Sequence, residues 1–108
     1  MRLYLFGSCW VLLASSFSVL AGNGSGKVMQ LMPHANDVVF FSLSGEHANP
    51  PKCSSTAWSI SLSTHTGRAM YALLLSAHTQ GLRVHVQGTG DCSAWPDRET
   101  AHYILSEL

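Results

Sequence analysis

The sequence predicts a mainly β domain with one helix, in the order β-β-β-α-β-β. Three observations predict it: short runs of β-forming residues bounded by turn residues, one capped helical stretch after the third run, and two alternating runs after the helix. Five short strands with a helix between the third and fourth are the topology of the OB-fold, a small Greek-key barrel. We therefore expect an OB-fold-like five-stranded barrel with the helix closing one end. The alternative is an open α+β sheet with one helix packed across it.

The N-terminal segment is typical of a secretory signal peptide. A basic start is followed by an almost uncharged apolar run that ends at Leu20, and residues with short side chains provide a cleavage site after Ala21. Residues 1–21 are therefore expected to be removed, the alternative being an uncleaved membrane anchor. Residues 22–26, GNGSG, carry no apolar side chain and are predicted to form a flexible leader, which leaves residues 27–108 as a single domain.

The first three strands are predicted from apolar and alternating runs. Val28–Met32 and Val38–Ser44 are rich in β-formers and flank a turn that contains Pro, Asn and Asp, so they form a hairpin. Gly45–Ser55 is a loop, because its glycine, asparagine and two prolines exclude regular structure. Ala57–Leu62 alternates between apolar and small polar residues, which predicts a half-buried strand with Trp58 in the core.

The helix is predicted to begin after a hydroxyl N-cap, which Ser63, Thr64 or Thr66 can supply, and to end at Gly81. Its core-facing stripe consists of the apolar residues at positions i, i+3, i+4 and i+7, which are Met70, Leu73, Leu74 and Ala77.

The last two strands are predicted to span Leu82–Gln87 and Glu99–Leu105. Both runs alternate, and in the second Ala101, Tyr103 and Leu105 are expected to form one face. An irregular segment with two glycines, a cysteine and a proline separates the two strands.

Two of the three cysteines, Cys53 and Cys92, follow the predicted cleavage site. An even pair in an exported domain predicts one disulfide, the alternative being two free thiols. The bond would close a loop of about 40 residues and stabilise the fold by about 4 kcal/mol through the entropy of the unfolded chain. We accordingly expect a secreted or periplasmic protein.

The charged residues are few and balanced, with six Lys and Arg against six Asp and Glu. No basic patch is visible, so nucleic acid is not an expected partner, nor is a membrane once the signal is removed. The six histidines lack metal-ligand spacing, so we expect neither a metal nor a cofactor. No enzyme is expected; the alternative is a small hydrolase that uses His85, His102 and the carboxylates between Asp91 and Glu99.

The segment Thr89–Thr100, TGDCSAWPDRET, is the most unusual part of the chain. It combines an aromatic ring with several carboxylates and small hydroxyl residues, and shallow carbohydrate sites are commonly made from such groups. The candidate ligand-binding residues are Asp91, Trp95, Asp97 and Arg98. The alternative is that Trp95 folds back over the disulfide and covers the mouth of the barrel.

The middle of the chain resembles the B subunit of subtilase cytotoxin and its relatives among the pertussis-like AB5 toxins. The residues that carry this resemblance are Cys53…Trp58…Gly67-x-Ala69-Met70-Tyr71-x-Leu73-Leu74…Gly81-x-x-Val84-x-Val86. The resemblance implies an OB-fold, a homopentameric ring and glycan binding on the outer surface of the ring, and it assigns no sugar-contacting residue in this sequence.

A second resemblance covers the whole chain after the signal and includes Gly88-Thr89-Gly90-x-Cys92-x-x-Trp95-x-Asp97-x-Glu99-Thr100. It is to small exported proteins of proteobacteria, which implies a Gram-negative source. Taken together, the two resemblances imply an exported glycan-binding protein that forms a homo-oligomer. The alternative is a periplasmic protein-interaction or inhibitor module.

Overall fold

A computed structural model describes residues 21–107 of the chain. The predicted signal peptide lies outside the described residues except for Ala21. The order β-β-β-α-β-β is confirmed. The elements are β1 (Asn23–His34), β2 (Val38–Leu43), β3 (Trp58–Ser61), α1 (His65–Gln80), β4 (Arg83–Gly88) and β5 (Glu99–Ser106).

The five strands close into a barrel in the order β1-β2-β3-β5-β4. β1 pairs with β2 through its second half and with β4 through its first half, so one strand closes the ring. All neighbouring pairs are antiparallel except β3 and β5, which run parallel at Trp58 and Ser59. This ring confirms the expected OB-fold-like arrangement over the open sheet.

The prediction of a flexible leader at residues 22–26 is wrong. Asn23–Lys27 pairs in regular antiparallel register with β4. Gly22, Gly24 and Gly26 are buried. A Cβ on Gly24 would lie 3.0 Å from the Glu46 carbonyl oxygen, and one on Gly26 would lie 2.6 Å from the Gly45 nitrogen. The backbone that follows β2 therefore leaves little room for side chains on this part of β1.

The predicted helix is confirmed, with Thr64 as its N-cap. The Thr64 hydroxyl accepts a hydrogen bond from the Gly67 amide at 2.9 Å, and Gly81 ends the helix in the left-handed conformation. Leu74 and Ala77 are buried, and the other two residues of the predicted stripe pack partly against the same core. The helix contacts β1, β3, β4 and β5, as expected for an element that closes one end of the barrel.

The prediction that Ala101, Tyr103 and Leu105 form one face of β5 is wrong, because Ala101 is buried and the other two are exposed. Ile104 is buried, whereas Tyr103 and Leu105 are exposed over 43% and 52% of their surface. The register explains the difference: Gln87 pairs with Tyr103 but Gly88 pairs with Ala101, so β5 carries one extra residue, His102. Such a bulge reverses the alternation, which the sequence pattern does not reveal.

The disulfide between Cys53 and Cys92 is confirmed. It joins the β2–β3 loop, residues 44–57, to the β4–β5 loop, residues 89–98, and a backbone hydrogen bond from Ser55 to Asp97 lies beside it. A disulfide fits a chain that folds in an oxidising compartment outside the cytoplasm. Within residues 21–107, no helix is long and apolar enough to span a membrane.

Candidate functional site

An open groove of about 340 Å³ lies between the β1–β2 turn, the start of α1 and the β4–β5 loop. Hydroxyl and amide groups line its sides, and apolar side chains such as Val38 and Met70 form its floor. The polar lining consists of Asn36, Ser61, Thr64, Ser93 and Thr100. The volume is of the size that small ligands occupy, and a few polar groups around an apolar floor are typical of such sites.

Two segments that shape the groove have well-defined local conformations. In the β1–β2 turn, Asn36 and Asp37 adopt positive φ angles of 66° and 57°, which these residue types tolerate in tight turns. The β4–β5 loop is bonded to the start of β5, where the Thr100 hydroxyl accepts the Ala94 amide at 2.9 Å and lies 3.3 Å from the Ser93 hydroxyl. The groove therefore presents hydroxyl groups whose positions are fixed by the backbone.

Asp91 organises the beginning of this loop. Its carboxylate accepts hydrogen bonds from the Thr89 hydroxyl at 3.0 Å and from the Ser93 amide at 3.1 Å. Hydrogen bonding by the Ser93 side chain, supported by the Ser93 backbone and the Thr89 side chain, holds the pKa of Asp91 below its usual value, against the opposing effect of slight burial. The ionised carboxylate thus stabilises the loop at neutral pH.

The other predicted ligand residues do not line the groove. Trp95 packs edge-on against Phe40 at 5.1 Å and against His34 at 4.9 Å between ring centroids. The Arg98 guanidinium lies 4.0 Å above the Phe40 ring and pairs with Asp97. The structure thus places these residues in one cluster around Phe40 of β2. Sequence reasoning identified the loop but not its groove-lining residues Ser93 and Thr100.

A second polar cluster lies inside the barrel around Glu99. The Glu99 side chain is fully buried, and its Oε1 lies 2.7 Å from Nε2 of the buried His47. Its Oε2 accepts the Gly22 and Gly90 amides, each at 2.9 Å. The His47 ring also stacks on Trp58 with 3.7 Å between ring centroids. Every oxygen of the carboxylate therefore has a partner, as burial of a charge requires.

The hydrogen-bond geometry gives every polar atom of the His47 ring a partner. The Nδ1 atom of His47 lies 3.1 Å from the Thr56 carbonyl oxygen, while its Nε2 faces Glu99. Both ring nitrogens therefore lie within hydrogen-bond distance of an oxygen atom, as burial of polar groups requires.

Sequence reasoning missed this cluster, although one signal was present. Glu99 lies two residues before Ala101 on the same strand, so the alternation that buries Ala101 also buries Glu99. His47 lies in an irregular loop and carries no comparable signal.

The groups of the alternative hydrolase do not meet in one site. His85 pairs opposite Leu105 and its Nδ1 lies 2.8 Å from the Ser25 hydroxyl, while Glu99 is inside the barrel and Asp91 is at the loop surface. Among residues 21–107, no three His, Cys, Asp or Glu side chains are grouped so that they could hold a metal ion. Comparison with protein-family models, with curated proteins and with solved structures gave no match to this chain.

Proposed function

We propose that this chain is an exported glycan-binding domain that holds its ligand in the groove between the β1–β2 turn and the β4–β5 loop. The observation that carries the proposal is the position and lining of the groove. OB-folds bind oligosaccharides and oligonucleotides with these two loops and the adjacent strands, and the lining here is uncharged, with hydroxyl and amide groups above apolar residues. Balanced charge disfavours a polyanion such as a nucleic acid.

The chemistry of the lining suits a sugar. Hydroxyl groups both donate and accept, and the Asn36 amide adds two donors and an acceptor, so the groove can satisfy the mixed pattern of sugar hydroxyls. The apolar floor formed by Val38 and Met70 can pack against the C–H face of a ring. Affinity for a single sugar is expected to be weak, because the groove is open on one side.

The test is a glycan array followed by titration of the best ligand. Ser93→Tyr fills the groove from an exposed position and is expected to reduce affinity at least tenfold, whereas the matched change Ser76→Tyr on the outer side of α1 should leave it unchanged. Asn36→Gly removes the amide while keeping the positive φ angle, and should also weaken binding. Absence of any glycan ligand, or equal binding by the Ser93 and Ser76 variants, would reject the proposal.

We further infer that the domain assembles with copies of itself, as the toxin resemblance implies. Exposed apolar side chains occur on two strands, Met29 and Met32 on β1 and Tyr103 and Leu105 on β5. An apolar groove of about 270 Å³ between α1 and β5 adjoins Tyr103. Two different apolar patches on one subunit are what a head-to-tail ring requires.

Light scattering of the purified chain tests this assembly. A mass of five subunits supports the ring, and Leu105→Lys should then dissociate it, whereas Ser106→Lys beside it should not. A monomer at micromolar concentration would reject the ring. A co-purifying protein partner without sugar binding would instead favour the protein-interaction module.

A further inference from the structure

The buried carboxylate of Glu99 contacts the chain at the first residue after the predicted signal peptide. Gly22 is the first residue after the expected cleavage site, and its nitrogen lies 2.9 Å from Glu99 Oε2 in a buried contact. In the uncleaved chain this nitrogen is a neutral peptide amide. We propose that cleavage after Ala21 turns it into an α-ammonium group, which forms a buried ion pair with Glu99 and anchors the mature N-terminus inside the barrel.

The chemical step is hydrolysis of the Ala21–Gly22 peptide bond by a signal-processing protease, with water as the co-reactant. The C–N bond breaks, the Ala21 carbonyl carbon takes the hydroxyl, and the Gly22 nitrogen takes the hydrogen. The released amine then binds one further proton from solvent at neutral pH. A neutral donor thus becomes a cation at a position where a carboxylate already accepts a hydrogen bond.

The Gly22 nitrogen keeps its position after cleavage because contacts on its C-terminal side hold it. The Gly22 carbonyl accepts the Gly88 amide at 2.8 Å and the Gln87 side-chain amide at 3.2 Å. Asn23 exchanges two backbone hydrogen bonds with Ala48, at 3.0 and 2.7 Å. None of these bonds involves a residue before Gly22, so removal of the preceding segment leaves them intact.

The site accepts only glycine as the first residue of the mature chain. A Cβ on Gly22 would overlap Glu99 Oε1 and would lie 2.9 Å from His47 Nε2. Cleavage one residue earlier would leave the Gly22 nitrogen an amide, and cleavage one residue later would remove it. The cleavage position predicted from the signal pattern is therefore the one that delivers an ammonium group to the carboxylate.

Burial also fixes the order of events. Gly22 is buried in the folded domain, so a protease can reach the Ala21–Gly22 bond only before β1 closes the barrel. Ala21 itself is half-exposed, so its departure opens the ammonium group to water on one side. That hydration accommodates the additional positive charge beside the His47–Glu99 pair, which would be costly in a sealed interior.

The first experiment uses the full chain, expressed in a Gram-negative bacterium and purified after export. Intact mass should show a chain that begins at Gly22, and an amine-selective reagent should label the α-amine at least tenfold more slowly in the folded protein than in the unfolded protein. A different N-terminus would overturn the proposal, as would equal labelling rates. Neither result bears on the ligand of the groove.

The matched control is a chain that begins at Ala21, which retains every strand and the helix. It keeps Gly22 as an amide and moves the charge one residue outward, so its α-amine should react at the rate of the unfolded chain. Its unfolding equilibrium constant should be at least tenfold larger than that of the Gly22 chain. Glu99→Gln in the chain that begins at Gly22 should restore fast labelling of the α-amine. If that variant does not fold, the comparison with the chain that begins at Ala21 still tests the proposal. Equal unfolding equilibrium constants for the Gly22 and Ala21 chains would overturn it.

Discussion

Two carboxylates of the β4–β5 connection, Asp91 and Glu99, lie in opposite environments. Asp91 is at the loop surface, where water can replace any of its partners. Glu99 is fully buried and depends on His47, Gly22 and Gly90, which come from three separate segments of the chain. The difference shows that these two similar residues have different roles. One shapes a local loop, and the other joins the N-terminal strand to the rest of the barrel.

The largest effect should come from removing the buried carboxylate. Glu99→Ala leaves the His47 ring and two backbone amides without their partner, and each buried polar group left unsatisfied costs about 1–3 kcal/mol of unfolding free energy. The matched change Asp91→Ala should cost less than about 1 kcal/mol, because its partners are exposed. Urea unfolding measures the unfolding free energy of both variants. Similar losses of unfolding free energy in the two variants would contradict the different roles assigned to Glu99 and Asp91.

The disulfide should have the next largest effect, because it links the loops around both carboxylates. Replacing both Cys53 and Cys92 by Ser should lower the unfolding free energy by up to about 4 kcal/mol. The control is the unchanged protein with and without a reductant. The reductant should lower its unfolding free energy by the same amount as the double substitution does. A change below about 1 kcal/mol in both experiments would show that the bond does not constrain the unfolded chain as expected.

Trp95→Ala separates the structural and ligand-binding interpretations of this residue. Loss of its contacts with Phe40 and His34 should cost about 1–3 kcal/mol, since aromatic pairs add to the burial of apolar surface. Trp95→Phe should cost less, and glycan affinity should remain in both. Unchanged stability with lost affinity would show instead that Trp95 contacts the ligand, as the sequence alone predicted.

The smallest effect concerns Asp91 and pH. The pKa of Asp91 in the folded state lies below its usual value, so its contribution to stability is present above the pKa of the unfolded chain and is lost as pH falls through the folded-state pKa. Asp91→Asn removes this contribution. The stability difference between the two proteins should therefore narrow on acidification, and urea midpoints between about pH 6 and pH 2 measure it. A stability difference between the two proteins that does not change with pH would contradict a lowered pKa for Asp91.

The sequence predicted the parts of the fold that depend on local pattern. Patterns within a single element predict the apolar stripe of the helix around Leu74, the end of the helix at Gly81 and the alternation in β3 and β4. The disulfide is predicted from the even number of cysteines after the signal. The order of elements was then sufficient to indicate the barrel, because few topologies place one helix between the third and fourth of five short strands.

The features that escaped prediction depend on contacts between distant segments. The glycines of residues 22–26 resemble a linker in the sequence, because their place in β1 depends on pairing with β4 and on the close approach of the backbone at Gly45 and Glu46. The bulge at His102 arises from register with β4. The groove is likewise formed by residues 36, 61, 64, 93 and 100, which no sequence spacing relates.

The first strand belongs to the barrel and is anchored at Glu99. Amide hydrogen exchange measured by NMR on the purified chain is a direct test of this anchoring, because the Asn23 amide bonds to Ala48 and the Gly88 amide to Gly22. We expect slow exchange at Asn23 and Gly88, comparable to the amides within β4, and faster exchange at both in Glu99→Ala. Exchange at Asn23 as fast as in an unstructured peptide would contradict it.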